Sequence, residues 1–246
     1  MAYFPIFTQI EGKRCFIVGG GKVAARKVHT LLQYGADVVV AAEKVCKEIK
    51  ESLPEGNVFE GVFGYIYENR FSDLEISENL LEGSSIDCQK DLSEDLMKTR
   101  RNIFLKKEIH KAFLVVAATS NREENRHIAE LCHTYNILVN VADSEAESSF
   151  IFPSVVRKGE ISIGINSGTS SPAVSKQIRK QIEKAVPDYY ADIAVFMGEL
   201  RQYVKKNFEE EVQRRYILKT AAAQAFSEER VLTEKEIEEI IRQGQK

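Results

Sequence analysis

Three consecutive glycines, Gly19, Gly20 and Gly21, follow an apolar run and precede a helix-like pattern. In the spacing Gly19-x-Gly21-x-x-Ala24, the first small residue permits a tight turn, and the second lets backbone approach a pyrophosphate. The third lets the helix pack closely on the strand. The N–H groups that begin this helix would face the phosphates. The motif predicts a dinucleotide site, although a tight turn that binds nothing could have the same residues.

An acidic residue stands where such a site requires one. The apolar run 38–42 ends at Glu43, about 20 residues past the glycines, where a carboxylate binds the adenosine ribose. Glu43 would repel the 2′-phosphate of NADP, so we expect NAD as the cofactor, and Lys44 could offset part of that repulsion. The alternative is a solvated Glu43 that binds no ligand.

Two further polar residues stand at predicted strand ends. Thr119 follows the apolar run 113–118, and Asp143 follows the run 137–142. Ligands of parallel sheets bind at the carboxyl ends of the strands, so we expect both residues near the glycines and Glu43. Asp143 could accept or relay a proton there. It could instead only cap the turn that follows it.

Strands alternate with helices through the first part of the chain. Apolar runs predict strands at 14–18, 38–42, 113–119 and 137–143, with a further strand near 58–63, and helices at 22–34, 43–53 and after Asn121. This alternation predicts an α/β fold with a Rossmann-type parallel sheet. The charged segment 64–111 has only two short apolar patterns. We expect it to be an insertion of marginal helices that a short linker can replace.

The pattern changes after residue 149. Two apolar runs flank the turn 157–160 and predict a β-hairpin, whose apolar faces indicate a homodimer formed through 150–187. The run Ser167–Ser171 could bind an anion at a helix start or simply cap the helix. Residues 188–246 predict a small helical domain. The expected divisions are therefore 1–149, 150–187 and 188–246.

Composition excludes several classes of protein. The 246 residues carry a net charge of -3, which gives no general attraction to nucleic acid or to an anionic membrane. No apolar run reaches the length of a membrane span, and residues 1–7 do not resemble a signal peptide. Four cysteines and four histidines show no metal-ligand spacing. We expect reduced thiols, no bound metal and a cytoplasmic location.

Several motifs together match one known family. They are Tyr3–Phe7, Val18–Lys27, Ala117–Thr119, Asn140–Asp143, Ser149–Pro153 and Ser167–Pro172. In this combination and order the chain resembles the precorrin-2 dehydrogenases of sirohaem synthesis. These occur as free enzymes, as bifunctional dehydrogenase–ferrochelatases and as the N-terminal part of sirohaem synthase. The family has a Rossmann domain, a central dimerisation segment and a helical C-terminal domain, and only a short connection where this chain has 64–111.

The resemblance implies an activity. The family removes two hydrogens from precorrin-2, with NAD as the hydride acceptor, and forms sirohydrochlorin; some members then insert ferrous iron. It implies NAD contacts at Lys22, Val23, Glu43, Lys44 and Thr119, a catalytic role for Asp143, and a substrate-side loop of Ser167, Gly168 and Thr169 in which Ser167 can be phosphorylated. The substrate is a polycarboxylate, so a basic surface is expected. The candidates are Arg201, Lys205, Lys206, Arg214, Arg215 and Lys219.

Three functions stay open from the sequence. The first is an NAD-dependent precorrin-2 dehydrogenase. The second is a protein that also, or mainly, inserts iron, since the sequence carries no signature that decides for or against chelation. The third is a non-enzymatic NAD-sensing dimer, which would need neither Asp143 nor the basic helices.

Overall fold

The computed structural model describes residues 3–61, 91–168 and 172–244, and for residues 91–100 it describes the backbone alone. The chain divides into two compact units. One is Phe7–Phe152, and the other combines Pro153–Lys246 with Met1–Ile6. The predicted divisions 1–149, 150–187 and 188–246 remain predictions.

The first unit contains a parallel sheet of five strands. They are Arg14–Val18 (β1), Asp37–Ala42 (β2), Val58–Glu60 (β3), Leu114–Ala117 (β4) and Leu138–Val141 (β5), in the order β3-β2-β1-β4-β5. The strand order reverses between β1 and β4, and a ligand crevice is expected at the carboxyl ends there. The predicted Rossmann-type sheet is confirmed.

Helices cover both faces of this sheet. They are Lys22–Leu32 (α1), Lys47–Ser52 (α2), Asp91–Lys111 (α3) and Arg122–Thr134 (α4). Alternate residues of β2 enter opposite cores: Val39 packs on the face with α3 and α4, and Val38 on the face with α1 and α2. Burial on both faces explains why β2 is a continuous apolar run. Helix α1 ends before Gly35, whose φ of 71° favours glycine.

The prediction that 64–111 is an insertion is wrong for residues 91–111. Residues 91–111 form α3, the helix that connects β3 to β4, and its side chains Phe104, Leu105 and Ile109 are buried in the core. The Phe104 ring packs edge-on against Phe16 and Phe59, with centroids 6.2 and 5.3 Å apart. A short linker therefore cannot replace this helix. The apolar pattern at 76–81 lies outside the described residues.

In its described residues, the second unit contains the predicted hairpin and four helices. The hairpin strands are Ser154–Lys158 (β6) and Ile161–Ile165 (β7), which pair antiparallel. The helices are Pro172–Ala185 (α5), Tyr189–Asn207 (α6), Glu211–Ser227 (α7) and Glu234–Gly244 (α8). A separate apolar core joins α6, α7 and α8 around Ile193, Val204 and Ile217. Within the described ranges, no helix is both long enough and apolar enough to cross a membrane.

Candidate functional site

Two of the three glycines are required by close backbone packing. A Cβ on Gly19 would lie 2.2 Å from the carbonyl oxygen of Ala118, and a Cβ on Gly20 would lie 2.0 Å from that of Lys44. The turn after β1 is thus pressed between the loops that follow β4 and β2. Two backbone bonds fix it: the Gly19 N–H donates to Ala41 O, and the Cys46 N–H donates to Gly20 O, each at 2.8 Å.

The third glycine leaves space for a ligand. Gly21 is the N-cap of α1, and nothing lies within 4 Å of the position that its Cβ would take. A glycine cap has no side chain to accept the N–H groups of the first helical turn, and Gly21, Lys22 and Val23 are all exposed. Open space beside these N–H groups, at the positive end of α1, fits a pyrophosphate.

The acidic residue that the sequence predicts for a dinucleotide site lies at the end of β2. Glu43 and Lys44 are both exposed at this end. Arg101 of α3 lies within electrostatic range of Glu43: burial lowers the pKa of the Arg101 guanidinium, and the Glu43 carboxylate opposes that effect. Arg101 also forms an ion pair with Glu124 of α4. Glu43 therefore stands near a cation from α3 in addition to its neighbour Lys44.

A buried amide joins the ends of β4 and β5. Asn125 lies in the first turn of α4, and its buried side chain contacts Thr119 and Asp143. Its Oδ1 accepts hydrogen bonds from the Thr119 N–H at 3.0 Å and the Thr119 hydroxyl at 2.8 Å. Its Nδ2 donates to Thr119 O and to Asp143 Oδ1, each at 3.1 Å. The two predicted strand-end residues are thus held together by a third side chain.

An arginine faces the other oxygen of Asp143. The Arg122 Nε lies 3.8 Å from Asp143 Oδ2, and the Arg122 guanidinium donates two hydrogen bonds to Glu147, at 2.5 and 2.7 Å. These hydrogen bonds lower the pKa of Glu147 and raise that of Arg122. Because Glu147 fixes the guanidinium, Arg122 presents a positive charge to the carboxylate of Asp143.

The arrangement favours a chemical role for Asp143 over a cap. Backbone and serine contacts hold the turn that follows, with the Ser144 N–H donating to Val141 O and the Ser148 hydroxyl to Ser144 O. The Asp143 side chain points instead to Asn125 and stays 44% exposed. A carboxylate with one oxygen fixed and part of its surface open can accept a proton from a bound molecule.

The structure brings most of the predicted site residues to one sheet edge. Gly19, Gly20, Gly21, Lys22, Val23, Glu43, Lys44, Thr119 and Asp143 follow the carboxyl ends of β1, β2, β4 and β5. Ser167 and Gly168 belong to the other unit. There the Ser167 and Ser175 hydroxyls are 2.5 Å apart, and the Gly168 N–H donates to Asn166 Oδ1. Thr169 lies outside the described residues.

Sequence reasoning missed Arg101, Arg122 and Asn125. For Asn125 a signal existed, because residues 125, 128, 129 and 132 share one face of α4, and the other three are apolar and buried. A polar residue within such a stripe requires a hydrogen-bond partner. No comparable pattern marks the two arginines, which lie among charged neighbours.

A family comparison agrees with the glycine turn. The family model NAD_binding_7, described as "Putative NAD(P)-binding", matches residues 6–154. This is more than half of the chain, and the chain belongs to this NAD(P)-binding family.

Similarity to individual proteins extends further along the chain. The siroheme synthase of Nitrosospira multiformis is 32% identical over 228 residues, which cover 93% of this chain and 41% of that protein. The siroheme synthase of Psychromonas ingrahamii is 31% identical over 206 residues, which cover 84% of this chain and 35% of that protein. The chain therefore spans about two fifths of these relatives.

A solved structure supports the fold as a whole. The structure described as "SirC, precorrin-2 dehydrogenase" is similar with a TM-score of 0.60 at 19% identity, and the match covers 99% of both chains. At this identity the likeness concerns the fold. The similarity in sequence to the siroheme synthases agrees with the resemblance predicted from the motifs.

Proposed function

We propose that the chain catalyses the NAD-dependent dehydrogenation of precorrin-2 to sirohydrochlorin. The observation that carries the proposal is the placement of the glycine turn and Asp143 at one edge of one sheet. Similarity to proteins called siroheme synthase over 84% and 93% of this chain supports the choice of substrate.

The dinucleotide half of the site would bind and orient NAD. Bound NAD would supply the hydride acceptor. The N–H groups of Lys22 and Val23 would hold its pyrophosphate, because they begin α1 beside the open space at Gly21. Glu43 would accept hydrogen bonds from the adenosine ribose, with Lys44 beside it. Thr119, at the switch point of the sheet, would lie along the nicotinamide half.

The catalytic half handles the proton. Loss of two hydrogens from the substrate as a hydride and a proton requires a proton acceptor, and the open oxygen surface of Asp143 provides one. Asn125 fixes one oxygen of this carboxylate, and Arg122 faces the other. The Asp143 carboxylate is therefore already oriented before the substrate binds.

The second unit would contact the carboxylates of the substrate. Ser167, Gly168 and Thr169 are the proposed substrate-side loop. Its helices carry the basic residues Arg201, Lys205, Lys206, Arg214, Arg215 and Lys219, and in the part of the chain that the structure describes none of these forms an ion pair. Cations without partners are available to bind carboxylates.

Iron insertion is the second candidate function. Asp143 supports it, because an exposed and oriented carboxylate can also take pyrrole N–H protons or guide ferrous iron as a substrate. A homodimer through 150–187 remains a proposal, supported by α5, a described helix that buries none of its residues. The cytoplasmic location is likewise a prediction.

One absorbance assay separates these functions. The purified protein is given precorrin-2 and NAD, and formation of sirohydrochlorin and NADH is followed. Sirohydrochlorin with ferrous or cobaltous ion is supplied in a second reaction. NADH formation that depends on precorrin-2 supports the dehydrogenase, and metal insertion adds the chelatase. NAD binding with neither reaction would overturn both and favour an NAD sensor.

A further inference from the structure

We propose that Asn125 is a positioning residue, which through one buried amide sets both the direction of the Asp143 carboxylate and the place of the Thr119 loop. The proposal rests on the proposed function, since it gives Asn125 a task in the chemistry of Asp143. It adds a residue outside the strand-end motifs, contributed by the first turns of α4.

The amide of Asn125 has no unused hydrogen-bonding capacity. Its Oδ1 accepts two bonds from Thr119, and its Nδ2 donates one to Thr119 O and one to Asp143 Oδ1. The orientation of the amide is unambiguous, because the Thr119 N–H requires an acceptor and the Thr119 carbonyl requires a donor. Only the Nδ2 side can face Asp143, so the amide always offers a proton to that carboxylate.

Packing alone does not explain an amide at this position. Asn125 lies on the buried face of α4 with Ile128, Ala129 and Cys132, where an apolar residue would fill space without the cost of burying an amide. An apolar side chain could not join the loop after β4 to the end of β5. The loop after β4 lies at the switch point between β1 and β4, and β5 is the next strand outward, so the amide fixes the position of Asp143 relative to that switch point.

Asn125 is not needed to cap α4, because another residue does so. Asn121, four residues earlier, is the N-cap, and its Oδ1 accepts the N–H groups of Glu123 and Glu124. The start of the helix is thus stabilised without Asn125. Asn121 is a matched control, because it is the same residue type at the start of the same helix. Among the described residues its side chain bonds to the backbone of α4 alone.

The test is a double-mutant cycle between Asn125→Ala and Asp143→Ala. We expect Asn125→Ala to lower kcat by about 10-fold or more, with the KM for precorrin-2 changed by less than about 3-fold. In the Asp143→Ala background the same change should lower kcat by much less, because the part of its effect that acts through Asp143 is already lost. Asn121→Ala should lower the melting temperature and leave kcat unchanged.

A second measurement needs no substrate. Denaturant unfolding of the wild type, the two single variants and the double variant gives the coupling between Asn125 and Asp143, which we expect to be favourable. If Asn125→Ala does not fold, Asn125→Ser replaces it in both cycles. A double variant whose loss of kcat equals the product of the two single losses would overturn the proposal. A wild-type kcat in either Asn125 variant would also overturn it. A wild type that binds NAD but does not oxidise precorrin-2 would overturn the proposed function, and zero coupling in unfolding would overturn the role of Asn125.

Discussion

The two halves of the candidate site are held by different kinds of contact: the dinucleotide half by backbone packing, and the catalytic half by side chains. In the dinucleotide half, Gly19 and Gly20 bring backbone against the carbonyls of Ala118 and Lys44. In the catalytic half, the side chains of Asn125 and Arg122 from α4 contact Asp143. Backbone contact leaves no room for a methyl group, whereas a side-chain network can lose a member and remain folded. Substitutions in the dinucleotide half should therefore lower stability, and substitutions in the catalytic half should lower the reaction rate.

The largest effect is expected from Gly20→Ala. Its Cβ would meet the Lys44 carbonyl at 2.0 Å, and that contact is backbone on a loop tied to Gly20 by the Cys46 N–H. Overpacking of this kind should cost about 3 kcal/mol of unfolding free energy, measured by chemical denaturation. Gly21→Ala is the control, because nothing lies within 4 Å of its Cβ position. It should fold normally and bind NAD more weakly; equal stability losses in both variants would contradict the comparison.

This contrast explains what could be predicted from the sequence. The glycine turn was predictable, because a run of glycines between a strand and a helix has few physical explanations, and Glu43 lies at a fixed distance from it. Asn125 was not predicted, because an Asn near the start of a helix is usually a cap or a solvated residue. Its role depends on Asp143, which lies 18 residues further along the chain and meets it only in the folded sheet.

The place of α3 in the core was missed for a related reason. Its first half is rich in charged residues. Among the side chains that the structure describes, the buried apolar ones, Phe104, Leu105 and Ile109, occupy a short stretch of a 21-residue helix. An apolar pattern that short does not distinguish a marginal helix from a core one. The partners of Phe104 are Phe16 on β1 and Phe59 on β3, and the sequence does not show that these three rings meet.

The second largest effect is expected from Asp143→Ala. In the described structure the carboxylate contacts side chains of α4, so the variant should fold, with a modest loss of stability from the hydrogen bond to Asn125 and an NAD affinity near that of the wild type. Sirohydrochlorin formation should fall about 100-fold, the scale of one general base, in the absorbance assay. Asp143→Asn should match this loss if proton transfer is the role. A wild-type rate in Asp143→Ala would remove this residue from the mechanism and leave the proton to water.

A smaller effect is expected on the choice of cofactor. Glu43→Gln removes a charge that would repel the 2′-phosphate of NADP, so the preference for NAD should fall by about 10-fold. Titration of both dinucleotides measures the ratio. Arg101→Ala is the complementary variant: it removes a cation near Glu43 and should sharpen the preference for NAD. Tighter binding of NADP than of NAD by the wild type would contradict the role of Glu43.

The smallest effect is expected from Glu147→Gln, which weakens the hold on Arg122. The hydrogen bonds from Arg122 lower the pKa of Glu147 below its ordinary value of 4.5. The pair therefore stabilises the fold fully above pH 4.5, and its contribution is lost as the pH falls through the lowered value. The melting temperature of Glu147→Gln should lie slightly below that of the wild type at pH 7, and the difference should shrink in acid.

The control for this variant is Glu130→Gln, whose partner Arg126 lies one turn away on the exposed face of α4. Such a pair contributes little to stability, and it has no link to Asp143. In Glu147→Gln the guanidinium, 3.8 Å from Asp143 in the wild type, is free to move onto that carboxylate and compete for the proton-accepting oxygen. We therefore expect a modest fall in kcat, well below the loss in Asp143→Ala. An equal loss would mean that Glu147 itself takes part in the chemistry, and the catalytic half would then be a pair of carboxylates and not one carboxylate held by neutral and cationic partners.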